Sequence, residues 1–120
     1  MPIKPKIYID AGHGGADPGA VNLPRNLREA DVCFEVSRIL GEMLQHSCDI
    51  LLSRPAINTI KTINERIIET RTWVADYYLS IHANAGGGTG AETFYFRDRA
   101  VQEVKSLLLL PKLLIQYMLI

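Results

Sequence analysis

Three features of the chain predict an α/β fold with a largely parallel, twisted sheet flanked by helices. Short apolar runs of strand character alternate with stretches of helical periodicity. The connections are rich in glycine, and two histidines stand just beyond the ends of two of the strands. No internal repeat is visible.

The elements follow in order. "KIYID" is a short β-branched and aromatic run and reads as the first strand. Beyond the glycine-rich loop, Val32, Val36, Ile39, Leu40, Met43 and Leu44 recur at helical spacing, predicting an amphipathic helix from about Asp31 to Gln45. "DILLS" is the second strand. Asn58 can cap a second helix, whose stripe of Ile60, Ile63, Ile67 and Val74 runs toward Ala75. "YYLSI" is a third strand, "NAGGGTG" a loop and "AETFYF" a fourth strand. The order β-α-β-α-β-β implies right-handed crossovers between parallel strands.

Composition narrows the function. With 120 residues and 48% hydrophobic content, the chain suits one domain with a modest core and is too apolar for a disordered tail. Thirteen Lys+Arg balance thirteen Asp+Glu, so no net field draws it to nucleic acid or anionic lipid, and no nucleic-acid partner is expected. "MPIKPK" runs directly into a strand and shows no signal-peptide pattern, so export is expected by another route. "LLLLPKLLIQYMLI" is interrupted by Pro111, Lys112 and Gln116 and is shorter than the roughly 20 apolar residues of a spanning helix; no membrane span is expected. Cys33 and Cys48 form no zinc or redox motif and read as small buried residues rather than a disulfide.

In open α/β sheets, ligands bind in the crevice at the carboxyl ends of the strands. His13 lies three residues beyond Asp10, at the end of strand one, and His82 directly follows Ile81, at the end of strand three. If these strands are parallel, both imidazoles share one edge of the sheet, either as ligands of a common group or as hydrogen-bonded loop residues. On the ligand reading, Gly12, Gly14 and Gly15 let the backbone turn tightly beside a bound group, and Gly86 to Gly88 do the same on the other side. A catalytic zinc site with two histidines takes a carboxylate and keeps one open position. Glu29, in "NLREADV" at the start of the first helix, is the leading candidate and Asp31 the second. Glu29 reads equally well as a capping-box acid paired with Asn26, or as a carboxylate favoured by the helix dipole. Asp10 and Asn84 can orient an imidazole or simply close turns and strand ends. His46 reads as a surface residue at a helix end. Tyr77, Tyr78, Phe94, Tyr95 and Phe96 read as core rather than as a sugar-stacking row.

Taken together, "IDAGHGGADPGAV", "LREADV", "LLSR", "INER" and "LSIHANAGGGTGAETFYF" make the chain resemble, over roughly residues 5–97, the zinc-dependent N-acetylmuramoyl-L-alanine amidases of the amidase-3 family. The resemblance implies a catalytic zinc held by His13, Glu29 and His82, with the metal lowering the pKa of a bound water to about 7 and polarising the scissile carbonyl. It implies peptidoglycan as partner and substrate, the target being the amide between N-acetylmuramic acid and L-alanine, with action at the bacterial cell wall. Arg54 and Arg66 match arginines of the family pattern; ion pairing across the sheet is the leading reading, contact with the peptide the other.

The departure from the family lies after "GAETFYF". Family members continue to an "E-x-G-F" segment whose glutamate serves as general base and acid, and "VQEVKSLLLLPKLLIQYMLI" matches no such segment. Glu92, Glu103 and Asp98 are the carboxylates downstream of His82; Glu92 belongs to the strand motif and Glu103 to a predicted helix, so no catalytic acid–base residue is assigned. The expected organisation is therefore an incomplete amidase-like catalytic domain over residues 1–101 and a divergent apolar tail over 102–120, which packs onto the sheet or favours self-association. Two functions stand: zinc-dependent hydrolysis of peptidoglycan, or a catalytically impaired amidase-like zinc domain that binds wall fragments or a protein partner.

Overall fold

The computed structural model describes residues 3–84, 90–95 and 112–119. Strand β1 (Lys6–Ala11) leads through the glycine loop to a short hairpin of β2 (Val21–Asn22) and β3 (Leu27–Arg28), closed by a 3-10 turn over Leu23–Arg25. Helix α1 (Glu29–Leu44), strand β4 (Asp49–Leu52), helix α2 (Ile63–Thr72) and strands β5 (Tyr77–Asn84), β6 (Gly90–Tyr95) and β7 (Lys112–Leu119) follow. The main sheet has the order β4-β1-β5-β7-β6. β1 runs parallel to β4 and β5, β5 runs parallel to β7, and only the β6–β7 pair among these is antiparallel. The predicted fold class holds, with the hairpin and β7 added.

β7 comes from the apolar stretch expected as a tail. Its backbone is paired on both sides within the chain, Ile115 facing Ser80 of β5 and Phe94 of β6. Nothing in this described segment supports association between chains. No described helix is long and apolar enough to cross a membrane.

Residues alternate between the two faces of a strand, and here the faces differ in chemistry. Ile9, Ala11, Leu79, Ile81 and Ala83 form the apolar core with Cys33 of α1. The most deeply buried positions of α1 are Ala30, Cys33, Ser37 and Gly41, while Val32, Val36 and Leu40 flank them. The predicted stripe is therefore displaced: Ile39 and Met43 are exposed. Small residues face the sheet because the helix lies close to it; a Cβ on Gly41 would stand 3.3 Å from Leu52. Cys33 is buried, Cys48 half-buried, and both are free thiols.

The opposite face is polar. Tyr8 and Tyr78 stack with ring centroids 5.5 Å apart. The Tyr8 hydroxyl donates to Glu69, which also accepts from Lys61, and the Tyr78 and Ser80 hydroxyls donate to Asp10. Helix α2 meets this surface with Arg66 and Thr70, its buried residues. Here the sequence expectation fails twice. The cap is Thr62, whose side chain and that of Glu65 close a capping box, and Asn58 lies in the preceding turn. The isoleucine stripe does not face the sheet: Ile60, Ile63, Ile67 and Val74 are exposed. The reason is the sheet itself, since a face carrying Asp10 and two tyrosine hydroxyls selects polar partners from the helix.

Candidate metal centre

Parallel pairing places the carboxyl ends of β1 and β5 side by side, with Ala11 opposite Ile81. The chain leaves β1 at Gly12, whose N–H donates to the Ile81 carbonyl at 2.9 Å. His13 follows with φ +61°. A non-glycine residue held in this left-handed region costs about 1–3 kcal/mol and persists only where its surroundings over-determine it. His82 sits within β5, which runs through Asn84 instead of ending at Ile81.

The hairpin returns the chain so that α1 starts beside this edge. The Glu29 N–H donates to Ala20 O at 2.8 Å and the Ala30 N–H to Pro18 O at 3.0 Å. The capping-box reading of Glu29 is not met, because Asn26 ends the 3-10 turn in a left-handed conformation and α1 has no side-chain cap. Instead the Glu29 carboxylate turns to the histidines. Its Oε1 lies 3.2 Å from His13 Nε2 and 3.2 Å from His82 Nδ1. The Ala83 N–H donates to Oε1 at 3.0 Å and the Ala20 N–H to Oε2 at 2.9 Å. The imidazole rings meet edge to face, centroids 5.3 Å apart. One donor atom from each of the three residues lies within 4.8 Å of the others.

Burial is the largest influence on Glu29 and disfavours its charge, yet the two backbone donors and the adjacent histidines outweigh it and hold the carboxyl below its ordinary range. Glu29 is thus ionised at neutral pH. Cys33, one turn along α1, is pushed up to about 12 by burial and by the Glu29 charge, so it packs as a neutral thiol.

Sequence reasoning missed Asp17. Its Oδ2 lies 2.8 Å from His13 Nδ1, and its Oδ1 accepts from the Gly19 N–H at 3.0 Å. The hydrogen bond to His13, followed by that from Gly19, lowers its pKa. A carboxylate can only accept, so Nδ1 of His13 is the nitrogen that donates to Asp17, and Nε2 is the ring atom left on the side of Glu29. The available signal was an acid one turn beyond the histidine in "HGGAD". Asp10, read either as orienting an imidazole or as closing a turn or strand end, accepts from Arg66, Tyr78 and Ser80 and reaches neither histidine of the cluster in the hydrogen bonds of its side chain. Asp31 lies 3.9 Å from Arg28 and is not part of the cluster. His46 is exposed beyond the far end of α1.

The two arginines diverge. Arg66 pairs with Asp10, as expected of an ion pair. Arg54, 2% exposed, donates to the carbonyls of Gly12, Ala30 and Ile57, joining the glycine loop to the first turn of α1. Desolvation, then the neighbouring Arg66, lowers its pKa. Gly86 to Gly88, Phe96, Asp98 and Glu103 lie outside the described residues, and Asn84, Glu92, Phe94 and Tyr95 are described by backbone alone.

Two imidazole nitrogens and an ionised carboxylate are the donor set of a three-ligand zinc site, and the backbone leaves room for it. A Cβ on Gly12 would stand 2.6 Å from His82 Cε1, and one on Gly19, at φ +63°, 2.7 Å from Glu29 Oε2 and His13 Cδ2. Only glycine fits at either place.

Comparison with known proteins places the chain in a family. A family profile described as N-acetylmuramoyl-L-alanine amidase matches residues 7–110. The chain is 38% identical over 96 residues to the sporulation-specific N-acetylmuramoyl-L-alanine amidase of Bacillus subtilis, covering 78% of this chain and 36% of that protein. It is 40% identical over 94 residues to the amidase CwlM of Bacillus licheniformis, covering 76% and 36%. The chain thus spans little more than a third of the length of these relatives. Among solved structures, an N-acetylmuramoyl-L-alanine amidase of Clostridium difficile 630 superposes with a TM-score of 0.72 at 31% identity, covering 88% of this chain and 59% of that one. The catalytic domain of CwlV from Bacillus (Paenibacillus) polymyxa shares the fold, with a TM-score of 0.76 at 22% identity and coverage of 94% and 80%. A profile match over most of the chain, relatives at this level of identity, and a histidine–glutamate cluster at the expected edge of the sheet converge: the chain belongs to the amidase-3 family of N-acetylmuramoyl-L-alanine amidases.

Proposed function

We propose that the protein hydrolyses the amide between N-acetylmuramic acid and L-alanine in peptidoglycan, acting at the bacterial cell wall, with a zinc ion held by His13, Glu29 and His82. The observation that carries the reading is the convergence of these three donors within 4.8 Å at the ends of β1 and β5. When bound by such a set, zinc lowers the pKa of a coordinated water to about 7 and polarises a carbonyl. The chain's own residues do the rest. Asp17 fixes the His13 tautomer, Ala83 and Ala20 hold both Glu29 oxygens, and Gly12 and Gly19 keep side chains out of the ligands' space.

A second reading is a domain that holds zinc and wall fragments but turns over slowly. It is favoured by the engagement of both carboxylates that the described side chains bring to the site, Glu29 with the histidines and Asp17 with His13. Amide cleavage needs a proton delivered to the leaving amine, and a positioned acid–base group contributes about 10²–10⁴-fold. The test is release of stem peptides from purified peptidoglycan, with and without zinc, beside a chimera carrying the C-terminal segment of a complete relative. The expected result is a zinc-dependent rate lower than the chimera's by that order. Equal rates would mean that Glu92 or Glu103 serves as the acid–base group.

A further inference from the structure

We propose that Arg66 is a positioning residue for the histidine–glutamate cluster: its guanidinium holds His13 in the left-handed backbone conformation that turns Nε2 toward Glu29. The proposal rests on the metal-ligand reading above. Its basis is where the donors of Arg66 go. Nη1 donates to the Asp10 carboxylate and to Ala11 O at 2.7 Å, Nη2 to His13 O at 3.0 Å, and Nε to Lys61 O at 3.1 Å. Three of the acceptors lie between Asp10 and His13, where β1 becomes the glycine loop. Arg66 is 6% exposed, so water does not compete for these contacts.

The planar guanidinium fork spans several fixed acceptors at once, which a lysine ammonium cannot do. Asp10, gripped by one end of the fork, is in turn held by Tyr78 and Ser80 of β5, the strand that carries His82. Arg66 therefore references the His13 backbone to the strand of the second histidine. The φ of +61° at His13 supplies the need for such a grip, since an unheld residue leaves this region. Asp17 secures the ring and Arg66 the main chain, so the two constraints meet on one residue. If Arg66 merely joined helix to sheet, its loss would lower stability without changing the metal affinity of the folded protein.

The experiment uses the full metal-free chain as wild type, Arg66→Lys and Arg66→Met, with Leu40→Ala as a destabilised control near the other end of α1. Zinc affinity is read by chelator competition and geometry by the absorption spectrum of the cobalt form, at a temperature where circular dichroism shows each variant folded. Disturbing a group that orients a ligand typically costs about 10–100-fold in metal affinity. That loss, with an altered cobalt spectrum, is expected for Arg66→Lys and Arg66→Met but not for Leu40→Ala. A folded Arg66→Lys protein with wild-type affinity and spectrum would overturn the proposal. Should neither Arg66 variant fold, NMR of the unaltered metal-free chain decides. Arg66 Nη hydrogens protected from exchange, with a left-handed His13 Cα shift, support the role; exchange as fast as at the exposed Arg25 overturns it. If the unaltered chain takes up no zinc, the ligand reading fails by itself, because the arginine exchange is measured without metal.

Discussion

His13, Glu29 and His82 are each fixed by a different device: a left-handed turn held by hydrogen bonds, the first residue of a helix, and a strand interior. Each is separately ordinary, and the chemistry lies in their meeting. A zinc site that loses one of three protein ligands loses most of its affinity, so His82→Ala is expected to leave the purified protein nearly free of zinc at unchanged helix content. Elemental analysis checks this, and undiminished zinc would defeat the ligand assignment. The placement of both histidines and of Glu29 at one sheet edge was readable from spacing and motif. The role of Asp17 was not, because nothing in sequence separates a loop aspartate that closes a turn from one that grips an imidazole; the left-handed turn at His13 makes the difference.

Among the elements, α2 departs furthest from its pattern. Its isoleucines recur at helical spacing, yet the buried face is Arg66 and Thr70, because α2 meets the polar groups Tyr8 and Asp10 of β1. Its ends yield two predictions. Glu65 closes the capping box, and hydrogen bonding by the Thr62 backbone and side chain lowers its pKa below 4.5. A carboxyl lowered on folding stabilises above its unfolded pKa, and that contribution is lost as pH falls through the native value. Thermal melts of the metal-free protein should therefore show Glu65→Gln less stable than wild type at pH 7, with the gap closing as pH falls through and below the ordinary carboxylate range. A gap independent of pH would contradict the charge-based account. At the other end, Val74 follows the cap with φ +57° while 52% exposed. A β-branched residue is costly in that region and glycine is not, so Val74→Gly should raise stability by about 1 kcal/mol in denaturant titration. A loss would show that the valine side chain contributes more than its strain costs.

β7 decides how the sheet is closed. Inserted between β5 and β6, it pairs with eight residues of β5 from Tyr77 to Asn84 and with β6 from Gly90 to Tyr95. A chain ending at Val101 would strip β5 of a neighbour and leave β6 without its partner among the described strands. It is expected to be digested faster by protease and to melt at lower temperature than the full chain. Unchanged stability and unchanged sedimentation would show that the segment contributes nothing to the fold.

The alternation of strands and helices, the α1 amphipathicity and the edge on which both histidines stand were legible in the chain, because hydrophobic period and glycine placement are local properties. The cap of α2 was misplaced at Asn58, and the structure puts it at Thr62 with Glu65 as its partner. What was not legible depends on which surfaces meet. The small-residue face of α1 follows from its close approach to the sheet. The polar face of α2 follows from what β1 presents to it, and the pairing of β7 from hydrogen-bonding edges that residues distant in sequence leave open. Periodicity reports that a residue belongs to an element; burial and partners are set by the neighbour across the interface, which the one-dimensional order does not name.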